Sequence, residues 1–295
     1  MQLRHIRYLL AVAEHGNFTR AAEALHVSQP TLSQQIIQLE ESLGVALLDR
    51  SGRTVKVTDA GSVYMEHARK ALRELASGRR AILDVQDLGR GELRLATTPT
   101  FTAYLVGPLL AAFNARYPGI TVRVKEMSLD TIAAAVAADE VDLGIAFSIS
   151  RPADDIECEP LLVERLSVVV GNSHRFASHR NGITPEMLAT ERIGVLSPDF
   201  ATRGHVDDYL RSQSVAPAIA VEANTISALI EVVRRSSVVT ILPEAIGKQH
   251  ADLRNIAISP PLKSRTAALL RRRGAYQSAA ALAFAELCKH TCECG

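Results

Sequence analysis

The stretch Phe18-Thr19-Arg20-Ala21-Ala22-Glu23-Ala24-Leu25-His26-Val27-Ser28-Gln29-Pro30-Thr31-Leu32-Ser33-Gln34-Gln35-Ile36-Ile37-Gln38-Leu39 decides how this chain reads. Ala21, Ala22 and Leu25 recur at helical spacing, and Thr19 is placed to cap that short helix. His26-Val27-Ser28 makes a tight connection. Ser28 is a good N-cap for the next helix, and Pro30 suits a first turn because its missing N–H would be unpaired there anyway. In that helix Leu32, Ile36, Leu39 and Leu43 share one face. Pro30, Ser33, Gln34, Ile37 and Gln38 share the other, with Gln29 and Thr31 at the exposed start. Upstream, Leu3, Ile6, Leu9 or Leu10, and Ala13 keep the same period until Gly16 ends it. Short helices, a three-residue turn, an apolar inside and an amide- and hydroxyl-rich outside make a helix-turn-helix.

Such an outer face suits DNA. Base edges in the major groove are read by Gln, Asn, Ser, Thr or Arg, and Gln pairs bidentately with adenine. A merely solvated helix would look similar, so the next segment matters. Leu47 to Thr58 reads as two strands around Ser51-Gly52, a wing, with Arg50, Arg53 and Lys56 where a wing meets phosphates. The expected DNA-binding set is Thr19, Arg20, Ser28, Gln29, Pro30, Thr31, Ser33, Gln34, Gln38, Arg50, Arg53 and Lys56.

From Phe18 through Leu39-Glu40 the run resembles the amino-terminal signature of LysR-type transcriptional regulators. Leu43-Gly44, Leu48-Asp49-Arg50 and Thr58-Asp59-Ala60-Gly61 complete the resemblance, which is dense over residues 1–61. Thr97-Thr98-Pro99-Thr100-Phe101-Thr102 and Glu222 to Ala228 look most like the regulators of cyanate-utilisation operons. The resemblance implies an α/β protein of three parts. These are a winged helix-turn-helix over 1–58, a linker and dimerisation helix over 59–89, and a two-lobed effector domain like the periplasmic binding proteins. One lobe would hold 91–162 and 268–290, the other 163–267, with Gly89-Arg90-Gly91 as hinge. The implied partners are double-stranded DNA, a small-molecule effector, RNA polymerase at the promoter, and further copies of the chain as a dimer of dimers.

The residues agree on the linker. Tyr64, Ala68, Ala71, Leu75, Gly78, Ile82 and Val85 recur at alternating spacings of four and three. That is a heptad seam, which asks for a partner helix. Beyond residue 91, β-branched runs alternate with alanine-rich helical runs, which predicts βα units with mostly parallel strands. Ligands in such sheets bind at the carboxyl ends of strands, where helix N-termini favour a small anion such as cyanate. The expected effector set is Thr98, Thr100, Phe101, Thr102, Phe147, Ser197, Phe200, Thr202, Asn224, Thr225 and Ile226. Any one of the hydroxyls could instead be a helix or turn cap, and Phe147 or Phe200 could be core.

Composition excludes other classes. Of 295 residues 47% are hydrophobic, too many for a disordered chain. No apolar run nears the ~18 residues that span a bilayer, and no signal peptide is legible, so the reading is of a cytoplasmic protein. Cys158 stands alone and Cys288, Cys292 and Cys294 crowd the end without a metal-binding scaffold, so no metal and no resident cofactor is expected. No G-x-S-x-G, P-loop or H-E-x-x-H occurs, which argues against an enzyme. A two-lobed solute-binding protein fits the second half alone and leaves the amino-terminal module idle. The charge balance of 33 Lys+Arg to 32 Asp+Glu lacks a nucleic-acid footprint. Within residues 1–58, six bases (Arg4, Arg7, Arg20, Arg50, Arg53, Lys56) meet five acids. A module so lightly charged calls for a symmetric oligomer to hold DNA.

Overall fold

The computed structural model describes residues 2–52, 54–84, 91–148, 155–179 and 181–293. The chain divides into two compact units, residues 1–80 and 81–295.

In the first unit α1 (Leu3–His15), α2 (Phe18–Ala24) and α3 (Gln29–Leu43) precede two short antiparallel strands, β1 (Leu48–Asp49) and β2 (Lys56–Val57). Then α4 runs from Asp59 to Asp84. Leu9, Val12, Leu32, Ile36, Leu39 and Leu47 form the core, each with at most 1% of its surface exposed. Burial of each stabilises the unit by about 2 kcal/mol. Leu43, placed on the inner face by its spacing, is exposed, because it ends α3 beyond the reach of α1 and α2. Asn17, not Thr19, caps α2: its Oδ1 accepts from the N–H groups of Thr19 and Arg20 at 2.8 and 3.1 Å. Ser28 caps α3 as expected, and Gly16 closes α1 in the left-handed region at φ 60°.

The heptad seam on α4 splits. Tyr64 and Ala68 are half-buried and buried, whereas Ala71, Leu75, Gly78 and Ile82 are exposed. Ile82 leaves 71% of its surface bare. Val85 and the Gly89-Arg90 part of the expected hinge lie outside the described residues.

The second unit holds two five-stranded sheets. The chain begins with β3 (Gly91–Thr97), α5 (Pro99–Phe101), a π-helical turn (Thr102–Val106), α6 (Gly107–Arg116), β4 (Ile120–Glu126), α7 (Leu129–Ala137), β5 (Leu143–Phe147) and β6 (Ile156–Glu164). It then crosses at Arg165 to β7 (Leu166–Gly171), α8 (Pro185–Ala189), β8 (Arg192–Leu196), α9 (Ala201–Ser212), β9 (Ala218–Ala223), α10 (Ile226–Arg235), β10 (Val239–Pro243), α11 (Glu244–Lys248) and β11 (Leu253–Ile256). The return crossing leads to β12 (Arg265–Arg272) and α12 (Ala279–Glu293). The sheet orders are β4-β3-β5-β12-β6 and β11-β7-β10-β8-β9.

Both sheets are mixed, which corrects the expectation of mostly parallel strands. β3 pairs in parallel with β4 and β5, and β8 with β9 and β10. β12 is antiparallel to β5 and β6, and β7 to β10 and β11. The reason is the crossing: a chain that leaves one sheet and enters the other arrives without a helical crossover to turn it round. β12 joins the first sheet from Arg265 onward, three residues before the expected 268.

Candidate functional site

Two regions carry the expected chemistry, one in each unit. In the first, α3 presents Gln29, Pro30, Thr31, Gln34 and Gln38 exposed and Ser33 half-buried. Thr19 and Arg20 are exposed on the first turn of α2, and Lys56 is exposed on β2. The hydroxyls of Ser28 and Thr31 are engaged with each other at 2.7 Å. Arg50 is no free phosphate ligand: its guanidinium meets the Glu40 carboxylate at 2.6 Å and lies 5.3 Å from the centre of the Phe18 ring. Glu40 in turn accepts from the N–H groups of Leu47 and Leu48, so this ion pair staples the wing to α3. Arg53 lies outside the described residues.

Gln35, which the spacing left unassigned, organises this face. Arg4 donates to Gln35 Oε1 at 2.9 Å, and the His5 ring nitrogen Nε2 meets the same oxygen at 3.0 Å. Arginine only donates, so that atom must be the oxygen and the other end of the amide the nitrogen. Gln35 Nε2 then donates to Gln38 Oε1 at 2.9 Å. Gln38 is exposed, and with its Oε1 engaged its amide has two N–H donors to offer. No spacing rule finds this, since Arg4 is 31 residues from Gln35.

In the second unit a cavity of about 540 Å³ opens between the two sheets. From the first sheet it is lined by Thr98, Pro99 and Thr100 after β3, by Glu126 to Asp130 between β4 and α7, and by Phe147 at the end of β5. From the second come Pro198 to Ala201 and Gly204, at the start of α9. Thus Thr98, Thr100, Phe147 and Phe200 do meet at one place. The other expected residues do not line it. Phe101 is fully buried, its ring 4.8 Å from that of Phe147 and 5.9 Å from that of Tyr104. Thr102 follows it into the π-helical turn. Ser197 donates to Asp199. Asn224 is exposed, Thr225 caps α10 through the Ala228 N–H, and Ile226 is core, so that segment serves its own helix.

Thr202 lies behind the cavity in a chain of polar contacts that the sequence did not announce. Its hydroxyl is 3.4 Å from that of Thr100 across the lobes and accepts from Arg265 Nη2 at 3.1 Å. Arg265 also pairs with Glu164, which accepts from the Tyr104 hydroxyl at 3.0 Å. Glu164 ends β6 and Arg265 begins β12, so the pair closes both crossings between the lobes. Burial raises the Glu164 carboxyl above the usual carboxylate range and lowers the Arg265 guanidinium, against the pull of each on the other. The guanidinium stacks 3.9 Å from the centre of the Phe147 ring.

Comparison with known proteins settles what this pair of units is. Residues 3–62 match the family of bacterial regulatory helix-turn-helix proteins, lysR family, and residues 86–293 match the LysR substrate binding domain. The chain belongs to the LysR family. LysR-type proteins are DNA-binding transcriptional regulators, not enzymes. Similar relatives include an uncharacterised HTH-type transcriptional regulator, YybE, of Bacillus subtilis (strain 168), 28% identical over 96% of this chain and 97% of its own. A hydrogen peroxide-inducible genes activator of Pectobacterium carotovorum subsp. carotovorum is 29% identical, over 93% of this chain and 91% of its own. Among solved structures, full-length CbnR complexed with its target DNA is 25% identical with a TM-score of 0.63, covering 99% of this chain and all of that one. Full-length OxyR C199D from Pseudomonas aeruginosa shares the fold at 23% identity, TM-score 0.68, covering 99% of this chain and 95% of that one. In this LysR-type regulator no described helix is long and apolar enough to cross a membrane.

Proposed function

We propose that this regulator reads double-stranded DNA through α3 and answers to a small molecule held between the two lobes. The observation that carries the reading is the cavity between the sheets, borne by a chain that also exposes an amide-rich helix face. Residues 1–58 are the DNA-binding part, 59–89 the linker, and the two sheets with their helices the effector-binding lobes. Gln29, Ser33, Gln34 and Gln38 contact bases. Thr19, Arg20, Lys56 and Arg53 contact phosphates, and Arg50 holds the wing. The bare side of α4 at Ala71, Leu75 and Ile82 pairs with a second copy, and two such dimers assemble on one promoter. Effector binding repacks the lobes, changes the angle between DNA-binding pairs and alters the DNA bend that RNA polymerase meets.

The likeness at Thr97–Thr102 and Glu222–Ala228 makes cyanate the first anion to try as effector. Peroxide, the signal of some relatives, acts on proteins through thiolates. Here burial pushes the Cys288 and Cys292 thiols up, away from thiolate, while Cys158 is free and half-buried. Cys294 lies outside the described residues.

Gel-shift titrations on DNA flanking the gene test the DNA half. Gln29→Ala should weaken specific binding and leave random DNA unaffected, by about 1–3 kcal/mol of discrimination. Lys56→Ala should weaken both alike and flatten the salt slope by about 0.9. Equal loss on both DNAs for Gln29→Ala removes it from base reading. The N–H donors of Gln38 predict a polarity test: Gln38→Lys should keep binding, whereas Gln38→Glu should lose about tenfold, near 1.4 kcal/mol. Similar affinities for the two variants would refute the donor role. Gly204→Trp tests the effector half. Gly204 lines the cavity and no atom lies within 4 Å of a Cβ there, so a bulky side chain has room to enter it. A reporter driven by the target promoter should then give one fixed level across growth media. An unchanged range of response counts against the cavity.

A further inference from the structure

The cavity has a polarity opposite to the one its helix N-termini predict. Glu126, Asp130 and Asp199 are all exposed at its rim, and no lysine or arginine is among the described residues that line it. Glu126 ends β4, Asp130 stands in the first turn of α7, and Asp199 precedes α9. The N-termini of α7 and α9 each offer roughly half a positive charge, about +1 together. Among the described residues three formal negative charges outweigh them, and the Arg265 charge beside Phe147 is matched by Glu164. Asp130 answers the start of its own helix and Asp199 accepts from Ser197, but Glu126 has no such duty.

Deeper in, the character changes. Phe147, Phe200, Met127 and Leu129 supply an apolar wall. Thr98 lines the same space with only 5% of its surface exposed, and its buried hydroxyl has no partner among the described residues. A buried hydroxyl without a partner is unfavourable, and a ligand group that bonds to it removes that cost. A cavity of about 540 Å³ matches a metabolite with a ring or short chain, and would leave a three-atom anion touching one side only.

We propose that the effector is an organic cation: an amine, amidine or guanidine at the acidic rim, a flat or aliphatic body against Phe147 and Phe200, and a hydroxyl at Thr98. This rests on the preceding assignment of the cavity as the effector site. The rim acids draw the charged head. A small anion is repelled by the same rim.

Calorimetric titration of the full-length protein with a matched pair decides the matter. Tyramine and 4-hydroxyphenylacetate share the ring and hydroxyl and differ in the sign of the head; agmatine and cyanate extend each class. Tyramine should bind at least tenfold tighter than 4-hydroxyphenylacetate, and the preference should shrink as salt rises. Glu126→Gln, which disturbs no helix end, should weaken tyramine by about threefold or more. The triple change Glu126→Gln, Asp130→Asn, Asp199→Asn should abolish the preference. Thr98→Val should weaken tyramine more than it weakens phenethylamine, which lacks the hydroxyl. The proposal is overturned if the anions bind tighter, if neither amine binds, or if the triple variant keeps the preference. Anion binding that Gly204→Trp blocks would sink the cation and leave the cavity as effector site, whereas a Gly204→Trp protein with an unchanged reporter range removes the cavity itself.

Discussion

Arg265→Leu is expected to destabilise the effector domain by about 3–5 kcal/mol at pH 8, the largest single effect in this molecule. Glu164 is 3% exposed, and its carboxylate is satisfied by Arg265 and by the Tyr104 hydroxyl. Removing the guanidinium leaves a buried negative charge with one neutral donor. The pH dependence follows in sign. Burial already raises the Glu164 carboxyl, and loss of Arg265 raises it further. A group whose folded value is raised gives its full stability below its unfolded value, near 4.3, and loses it as pH climbs through the folded value. The deficit of Arg265→Leu should therefore be smaller at pH 5 than at pH 8. Adding Glu164→Leu should restore most of the loss, because an apolar pair replaces an ion pair. Thermal unfolding of the three proteins at both pH values is the measurement. A single variant within 1 kcal/mol of the parent, or a deficit independent of pH, would show that the pair does not govern the crossing.

Gly61→Ala should disable the DNA-binding unit. A Cβ there would stand 2.1 Å from the Leu47 carbonyl oxygen and 2.9 Å from a Val57 methyl. The obstacle is backbone, held by the Thr58 N–H at 3.1 Å, and Thr58 also bonds to the Ala46 carbonyl and the Gly61 N–H. The start of α4 is thus seated against the wing, and one methyl group forces it off. The expected loss is about 3 kcal/mol, at the upper end for overpacking, and specific DNA binding should fall with it. Gly107→Ala in α6, with nothing within 4 Å, is the control and should be neutral or stabilising by about 1 kcal/mol. Equal unfolding temperatures for Gly61→Ala and the parent would refute the close contact.

Much of the first unit could be read without coordinates. Leu32, Ile36 and Leu39 are buried and Gln29, Gln34 and Gln38 exposed because a helix repeats every 3.6 residues, so spacing alone sorts its faces. Ser28 as cap is equally local. The misses were at edges: Thr19 yielded the cap to Asn17, and Leu43 ran past its packing partners. In the second unit the legible part was the set of hydroxyls after β3. The segment Asn224 to Ile226 was misplaced because a polar helix start looks the same whether it faces a ligand or merely caps itself.

By itself the sequence determined a winged helix-turn-helix, a long helix with an apolar stripe and an α/β partner domain, since each rests on periodicity within some twenty residues. Tertiary structure alone decided the rest. It brought Thr98, Glu126, Asp130, Phe147, Asp199 and Phe200 to one cavity, paired Glu164 with Arg265 across 101 residues, and linked Gln38 to Arg4 through Gln35. Charge sums and spacing carry no record of such meetings. They arise only when two sheets close on each other and burial obliges each polar group to find a partner.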